Sequence, residues 1–276
     1  MSALYRVVES ASFAKSQRDE ENEDVIVLTP AFAAIIDGAT DKSGLRYGGL
    51  TGGRLAAQAL ASAFENLDPG ADINTAVDFL TTRLEAAVRR AGGNPAAWTC
   101  PTASFVCYAA ARREIWRVGD SVFRLDEQID APITLIDRVA SEARATLDRA
   151  LLASGARPEE IRASDPGRDM ILPLLRVAGA FQNHPDPDCE FGRGVLDGKR
   201  VPPHFRECFP VGQATELILA SDGYPQLLAT LAASEEELAR ELTIDPLRIS
   251  LASPGTKGMV PGARSFDDRT YLRLAL

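Results

Sequence analysis

Aspartate follows an apolar run at three places in this 276-residue chain. The three segments are Ile35-Ile36-Asp37-Gly38, Val118-Gly119-Asp120 and Leu219-Ala220-Ser221-Asp222-Gly223. Two acidic pairs, Glu23-Asp24 and Asp267-Asp268, precede further apolar runs. A carboxylate beside a buried strand is costly unless it is paired or binds a cation. Carboxylates with no histidine or cysteine among them suit the hard cations Mg²⁺ and Mn²⁺. The pattern therefore favours an acidic metal site over the simpler interpretation that each Asp-Gly is only a turn.

The sequence offers few residues suited to other kinds of catalysis. The two histidines, His184 and His204, lie in a Pro-rich stretch, and there is no GxSxG nucleophile motif. The glycine run 48–53 lacks the Lys-Ser/Thr of a phosphate-binding P-loop, so it either opens a helix or lines a site. Ala39 stands where a phosphoaspartyl hydrolase would need a second aspartate. The four cysteines are widely spread without a CxxC pair, which argues against structural zinc.

The composition is that of a soluble globular protein, with 45% hydrophobic and 25% charged residues. The net charge of -9 argues against nucleic-acid and anionic-membrane partners, because both require basic surface. No apolar run approaches the roughly 18 residues that a membrane span needs. We therefore expect a cytoplasmic protein with reduced thiols, and a monomer is favoured.

Hydrophobic periodicity predicts the elements that carry these residues. Strands are predicted at 25–28, 31–36, 103–109, 114–118, 122–125, 216–220 and 270–274, and the three within 103–125 should form an antiparallel meander. Helices are predicted after Gly52-Gly53, from Ile73 with Asp72 as its N-cap, and over 134–151, 171–181, 224–232 and 235–242. Residues 182–212 are rich in Pro, Gly and Asp and should form a long irregular excursion. Strands in runs with grouped helices indicate an α+β fold.

Taken in order, the acidic motifs resemble those of the type 2C family of metal-dependent protein phosphatases. The matching segments are Asn22-Glu23-Asp24, 32–38 (FAAIIDG), Gly52-Gly53, 101–104 (PTAS), 118–121 (VGDS), 217–223 (LILASDG) and 267–270 (DDRT). Together the matches span about residues 20–125 and 190–276. Residues 134–190 do not match. The resemblance implies a single phosphatase-like domain over 1–276, with a helical insert or flap at about 134–212.

The resemblance also implies a two-layered antiparallel β-sandwich flanked by helices, with two Mn²⁺ or Mg²⁺ ions at one end. Asp37 would bridge both ions, and the Gly38 carbonyl would bind one of them. The other ion would be bound by Asp222 and Asp267, while Glu23 would hold a metal-bound water. Two cations about 3.5–4 Å apart acidify a shared water and clamp the phosphoryl oxygens during in-line attack. The implied activity is hydrolysis of phosphoserine and phosphothreonine in protein substrates.

The sequence departs from the family pattern at several positions. Arg18, the candidate phosphate-binding residue, is five residues before Glu23 where the family usually has four, and Lys15 or Arg264 could substitute. Asp120 and Asp222 could hold a third metal, but Gln226 replaces the third acid, so that site should be weak.

Three functional alternatives remain open at this point. One is an active protein phosphatase, and another applies the same metal chemistry to a small phosphorylated substrate. The third is an inactive or weak pseudophosphatase that acts as a protein-binding module. The helical insert could select substrates or could be an extra core layer.

Overall fold

In the computed structural model, which describes residues 4–40, 44–97 and 99–276, ten strands form two five-stranded antiparallel sheets. The first sheet has the order β1-β10-β9-β6-β7, with β1 at Arg6–Phe13, β10 at Arg269–Ala275, β9 at Glu216–Ala220, β6 at Val122–Leu125 and β7 at Gln128–Asp130. The second has the order β2-β3-β4-β5-β8, with β2 at Val25–Leu28, β3 at Phe32–Gly38, β4 at Ala103–Ala109, β5 at Glu114–Val118 and β8 at Glu207–Pro210. The α+β two-sheet fold implied by the sequence is confirmed.

Strand β3 is apolar throughout because both of its faces are buried. Ala33 and Ile35 point into the core between the sheets, where they pack with residues such as Leu219 and Leu272 of the first sheet. The alternate residues of β3 point to the other face, against the helices. Successive side chains of a strand alternate between faces, so a strand covered on both sides needs a continuous apolar run.

Helices cover the outer faces of both sheets. Helix α1 (Gly52–Phe64) and helix α2 (Ile73–Arg90) pack on the second sheet, and the predicted N-cap Asp72 accepts a hydrogen bond from Thr75 N at 2.8 Å. Helix α6 (Leu231–Ile244) packs on the first sheet through Leu238. The outer helices thus bury the apolar stripes that their spacing predicts.

Three further helices form the insert: α3 (Leu135–Ala153), α4 (Pro158–Ser164) and α5 (Pro166–Val177). Arg144 of α3 is almost fully buried and forms a two-bond ion pair with Asp165 at 2.9 Å. Its remaining donors reach the backbone carbonyls of Leu247, Arg248 and Gly255 at 3.0–3.3 Å. Arg168 and Arg162 donate to the carbonyls of Thr256 and Met259 in the same way. The insert therefore fixes the path of residues 247–259, which we call the anchored segment.

The structure corrects several predicted elements. β6 does not continue a meander with β4 and β5, because the chain turns at Gly119 and β6 pairs with β7 and β9 of the other sheet. Strands β1 and β7 were not predicted, and β8 lies inside the stretch predicted to be irregular. Residues 224–230 are not helical, since α6 begins only at Leu231. Within the described ranges, no helix is long and apolar enough to cross a membrane.

Candidate active site

The aspartates at the strand ends line one cleft of about 370 Å³. Asp37 and Asp120 come from the second sheet and its turn into the first, while Asp222 and Asp267 come from the first sheet. Gly38 lines the same cleft. The structure thus brings together all five residues that the sequence motifs assign to metal binding. Strand ends from both layers meet here because the sheets stack with these edges aligned.

Asp37 and Gly38 are positioned by close backbone packing at the end of β3. Asp37 pairs in register with Ser104 of β4, and Ser104 Oγ lies 3.1 Å from Ser121 Oγ, next to Asp120. A Cβ atom on Gly38 would lie 2.4 Å from the Gly53 carbonyl oxygen. The glycine pair that opens α1 therefore serves this contact, and only glycines allow the helix start to approach β3 so closely.

Asp222 is held by the contact between β9 and the residues before β10. A Cβ atom on Gly223 would lie 2.0 Å from the Asp268 carbonyl oxygen. Ser221 N donates to the Thr270 carbonyl at 3.1 Å, and Thr270 N donates to Ser221 Oγ at 2.9 Å. The Ser-Asp-Gly turn is consequently locked against the acidic pair Asp267-Asp268.

The acidic side chains lack sufficient positive charge around them. Burial raises the pKa of Asp37 well above its usual value, and the charges of Asp24, Asp120 and Asp267 raise it further. The pKa of Asp222 is raised for the same reasons, with Asp37 as its strongest neighbouring charge. A raised carboxyl pKa means that the anionic form is disfavoured. A cation bound among these groups would therefore stabilise the site.

Two lysines supply part of the missing charge. Lys257 Nζ, on the anchored segment, lies 2.5 Å from Asp267 Oδ2, and Lys15 Nζ lies 3.5 Å from Asp267 Oδ1. Burial alone would raise the pKa of Asp267, but the two ammonium charges outweigh it and lower that pKa. Asp267 thus differs from Asp37 and Asp222, because its charge is already partly compensated.

The Glu23-Asp24 pair lies behind the cleft wall. Glu23 is buried and accepts hydrogen bonds from Thr40 Oγ1 at 3.0 Å and Thr51 Oγ1 at 2.5 Å. Thr40 itself lines the cleft, so Glu23 is one hydrogen bond away from it. Asp24 accepts from Ser221 and Thr270 at 2.7 and 2.9 Å, which joins the two sheets.

Of the three candidate phosphate-binding residues named from sequence, Arg18 and Arg264 lie away from the cleft. Lys15 does not line the cleft either, but its ammonium donates to Oγ1 of the cleft-lining Thr40 at 2.9 Å. Arg18 does not line the cleft; its side chain is 68% exposed and pairs with Glu21. Arg264 pairs with Asp19 at 2.6 Å, also outside the cleft. Gln226 donates to Glu237 and Glu241 of α6 at 3.1 and 2.8 Å and does not line the cleft.

Sequence reasoning missed the basic residues that do line the cleft: Arg138, Arg168, Arg193, Arg248 and Lys257. They come from the insert, the irregular excursion and the anchored segment. None lies in a family motif or a periodic element core, so only their charge could have marked them. The insert is therefore not only an extra core layer, since Arg138 and Arg168 reach the cleft.

The donor set fits a hard divalent cation in its chemistry, because carboxylate oxygens with raised pKa values surround one cleft. The cleft carboxylates are not spaced as the ligands of a bound metal ion are. In the described part of the chain, no group of three or more His, Cys, Asp or Glu residues is arranged to hold a metal ion.

No family model matches this chain, and no curated protein matches it. Among solved structures, the chain is similar to the serine/threonine phosphatase Stp1 from Staphylococcus aureus, with a TM-score of 0.50 and 15% identity over 100% of this chain and 97% of that one. A bacterial serine phosphatase carrying one substitution also gives a TM-score of 0.50, with 15% identity over 98% of each chain. The Mycobacterium tuberculosis serine/threonine phosphatase PstP/Ppp gives 0.47, with 17% identity over 99% of this chain and 98% of that one. The first two matches show that the chain has the fold of bacterial serine/threonine phosphatases, as the resemblance of its acidic motifs predicts.

Proposed function

We propose that this protein is a metal-dependent serine/threonine protein phosphatase. The observation that carries the proposal is the convergence of Asp37, Asp120, Asp222 and Asp267 on one cleft of the phosphatase fold. Burial and mutual repulsion raise the pKa values of Asp37 and Asp222, so the electrostatics of the cleft favour the binding of cations. The fold similarity supports a phosphorylated protein as substrate.

The chain's own residues have distinct roles in this proposal. Asp37, Asp222, Asp267 and the Gly38 carbonyl would hold two Mn²⁺ or Mg²⁺ ions, and Asp120 would contribute to a weaker third site. When bound, such ions supply an acidified water and neutralise the charge of the phosphoryl group. Glu23 would orient that water, because Thr40 and Thr51 fix both of its carboxylate oxygens.

Hydrolysis of p-nitrophenyl phosphate and of a phosphothreonine peptide tests this proposal. We expect turnover with added Mn²⁺ that disappears with EDTA and in Asp37→Asn. Asp169→Asn is the matched control, since Asp169 is exposed on α5, away from the cleft lining. Equal activity of Asp37→Asn and wild type would reject Asp37 as a metal ligand. Peptide turnover exceeding that of the small ester would favour the protein substrate.

The two lysines paired with Asp267 favour a second candidate function, that of a protein-binding module without catalysis. Lys257 and Lys15 already compensate Asp267, which lowers the demand of the site for a metal. The insert exposes the apolar side chains of Val139, Met170 and Val177, which a protein partner could cover. Calorimetry with Mn²⁺ distinguishes the two functions. Absence of both metal binding and turnover in the wild type would favour the binding module.

A further inference from the structure

The guanidinium of Arg248 is fixed in the cleft without a hydrogen-bond acceptor. Its central carbon lies 3.6 Å from the centroid of the Phe266 ring, and the Phe266 side chain is buried. Gly255 also lies next to the guanidinium, since a Cβ atom on Gly255 would be 3.2 Å from the Arg248 guanidinium carbon. Among the described residues, no carboxylate pairs with Arg248 within 4.0 Å, and its side chain makes no hydrogen bond. The N–H groups of the Arg248 guanidinium are therefore held in place but donate to no acceptor.

The backbone around Arg248 is held in a conformation that bulky residues rarely adopt. Arg248 has a φ of 51°, in the left-handed region. The Asp245 carboxylate accepts from Ile249 N and Ser250 N at 2.8 and 2.7 Å, and Gly255 N donates to the Arg248 carbonyl at 2.9 Å. Such strain persists only where surrounding contacts determine it, and it is common at functional sites. Here it places the side chain over Phe266 and toward the cleft.

Arg248 differs from the other cationic residues of the cleft in its hydrogen bonds and ion pairs. Lys257 is paired with Asp267, Arg168 donates to the Thr256 carbonyl, and Arg193 lies 3.4 Å from Asp137. Arg138 is exposed, and no described contact fixes its side chain. Within the described cleft lining, Arg248 is the guanidinium that a ring contact holds in place while none of its donors has a hydrogen-bond or ion-pair partner.

We propose that Arg248, stacked on Phe266 beside Asp222 and Asp267, binds the phosphate group of the substrate. A guanidinium matches two phosphate oxygens with two parallel N–H donors, and stacking fixes its plane before the ligand arrives. The assignment rests on the proposed phosphatase function for its catalytic meaning. It gives the cleft the phosphate-binding group that Arg18, on the outside of the protein, does not supply.

Inorganic phosphate is the probe, because its binding is measured without turnover. We expect calorimetric titration in the presence of Mg²⁺ to show phosphate binding to the wild type and about 10- to 100-fold weaker binding to Arg248→Met, as loss of a charged hydrogen-bond pair predicts. Arg248→Lys should lie between them, since it keeps the charge but loses the bidentate geometry. Arg138→Met and Arg264→Met are the matched controls, on and off the cleft respectively, and should change phosphate affinity less than about twofold.

Kinetics separate this proposal from the proposed phosphatase function. If the enzyme is active, Arg248→Met should raise the KM for p-nitrophenyl phosphate and the inhibition constant of phosphate in parallel, with Mn²⁺ affinity retained. If wild type has no turnover, the calorimetric difference between wild type and Arg248→Met still decides the assignment. Absence of phosphate binding to wild type would overturn the proposal. Equal binding by wild type, Arg248→Met and Arg248→Lys would also overturn it, as would a loss confined to Arg138→Met.

Discussion

The Lys257 ammonium lies 2.5 Å from the Asp267 carboxylate, inside the cleft where burial and neighbouring carboxylates raise the pKa values of Asp37 and Asp222 despite the lysine. A divalent cation bound by Asp267 must share this carboxylate with the lysine or displace it. Replacing Lys257 by methionine removes the competing charge while keeping an unbranched side chain. We expect Lys257→Met to bind Mn²⁺ about 10-fold more tightly, which corresponds to about 1.4 kcal/mol. Calorimetric titration with Mn²⁺ measures this change.

Lys199→Met provides the control for that experiment. Lys199 also pairs with an aspartate, Asp197, at 2.9 Å, but it does not line the cleft. Its loss should leave Mn²⁺ affinity unchanged. If Lys257→Met bound Mn²⁺ no better than wild type, Asp267 would not be a ligand, or the lysine would leave the site without cost.

The buried Arg144 should be central to stability. Replacing it with methionine leaves the buried carboxylate of Asp148 and the Asp165 carboxylate without their shared cation, and frees the carbonyls of the anchored segment. We expect Arg144→Met to lower the free energy of unfolding by about 3–5 kcal/mol, as is typical when one partner of a buried ion pair is removed. Urea denaturation measures the change. Arg157→Met, which removes an exposed pair with Glu160, should cost less than about 1 kcal/mol.

A stability loss for Arg144→Met no larger than that of Arg157→Met would contradict the role of Arg144. Limited proteolysis adds a local measurement. Cleavage within the anchored segment should become faster in Arg144→Met than in Arg157→Met, because the carbonyls of that segment lose their donors.

The contact between Gly223 and the Asp268 carbonyl should not tolerate a side chain. Alanine at position 223 would place its Cβ atom 2.0 Å from that oxygen, and both partners are backbone, so the strands must separate. We expect Gly223→Ala to destabilise the fold by about 1–3 kcal/mol, and to weaken Mn²⁺ binding because Asp222 moves with the turn. Gly70→Ala is the control, since the added Cβ atom would meet only Asp68 Oδ1 at an ordinary 3.6 Å. Equal stability of the two variants would show that the turn can shift freely.

The buried carboxyl of Asp24 should make the metal-free protein less stable at higher pH. Burial and the charges of Asp268 and Asp267 raise its pKa from 3.8 to about 7, although the hydrogen bonds from Ser221 and Thr270 oppose the shift. The folded protein therefore holds this proton more tightly than the unfolded chain does. The resulting stabilisation is complete below about pH 4 and is lost as the pH rises through 7.

Asp24→Asn tests this pH dependence. The amide cannot titrate, and its oxygen can still accept from Ser221 and Thr270. The variant should therefore lose less stability than wild type between pH 5 and 8, as thermal unfolding in EDTA would measure. Parallel pH profiles for the two proteins would assign the dependence to other groups.

The acidic residues of the cleft could be predicted from the sequence, because their immediate neighbours along the chain mark them. Asp37, Asp120 and Asp222 each end or adjoin a buried strand, so an apolar run followed by Asp marks both the strand and its terminal carboxylate. Stacking of two sheets then brings those ends together. Strand β1 was missed because one of its faces is exposed, and its alternation of polar and apolar residues is weak.

The basic residues of the cleft could not be predicted from the sequence, because their positions depend on contacts between segments that are distant along the chain. Arg248 is separated from Arg144 by more than a hundred residues, yet Arg144 helps to fix its backbone. The turn at Gly119 sends β6 into the other sheet, and no local pattern distinguishes that crossing from a hairpin. Arg18 satisfied a motif spacing approximately, but its ion pair with Glu21 keeps it at the surface.

The bonds that hold the anchored segment reach its backbone carbonyls, not its side chains. The bonds that Arg168 and Arg162 donate to the carbonyls of Thr256 and Met259 do not involve the side chains at those two positions. At these positions, the backbone path of the anchored segment therefore does not depend on which side chain is present. Side chains that face the cleft can be exchanged one at a time while the support from the insert stays in place. This arrangement makes the cleft-lining positions Ser253, Pro254 and Thr256 a natural place to alter, by design, which ligands the cleft accepts.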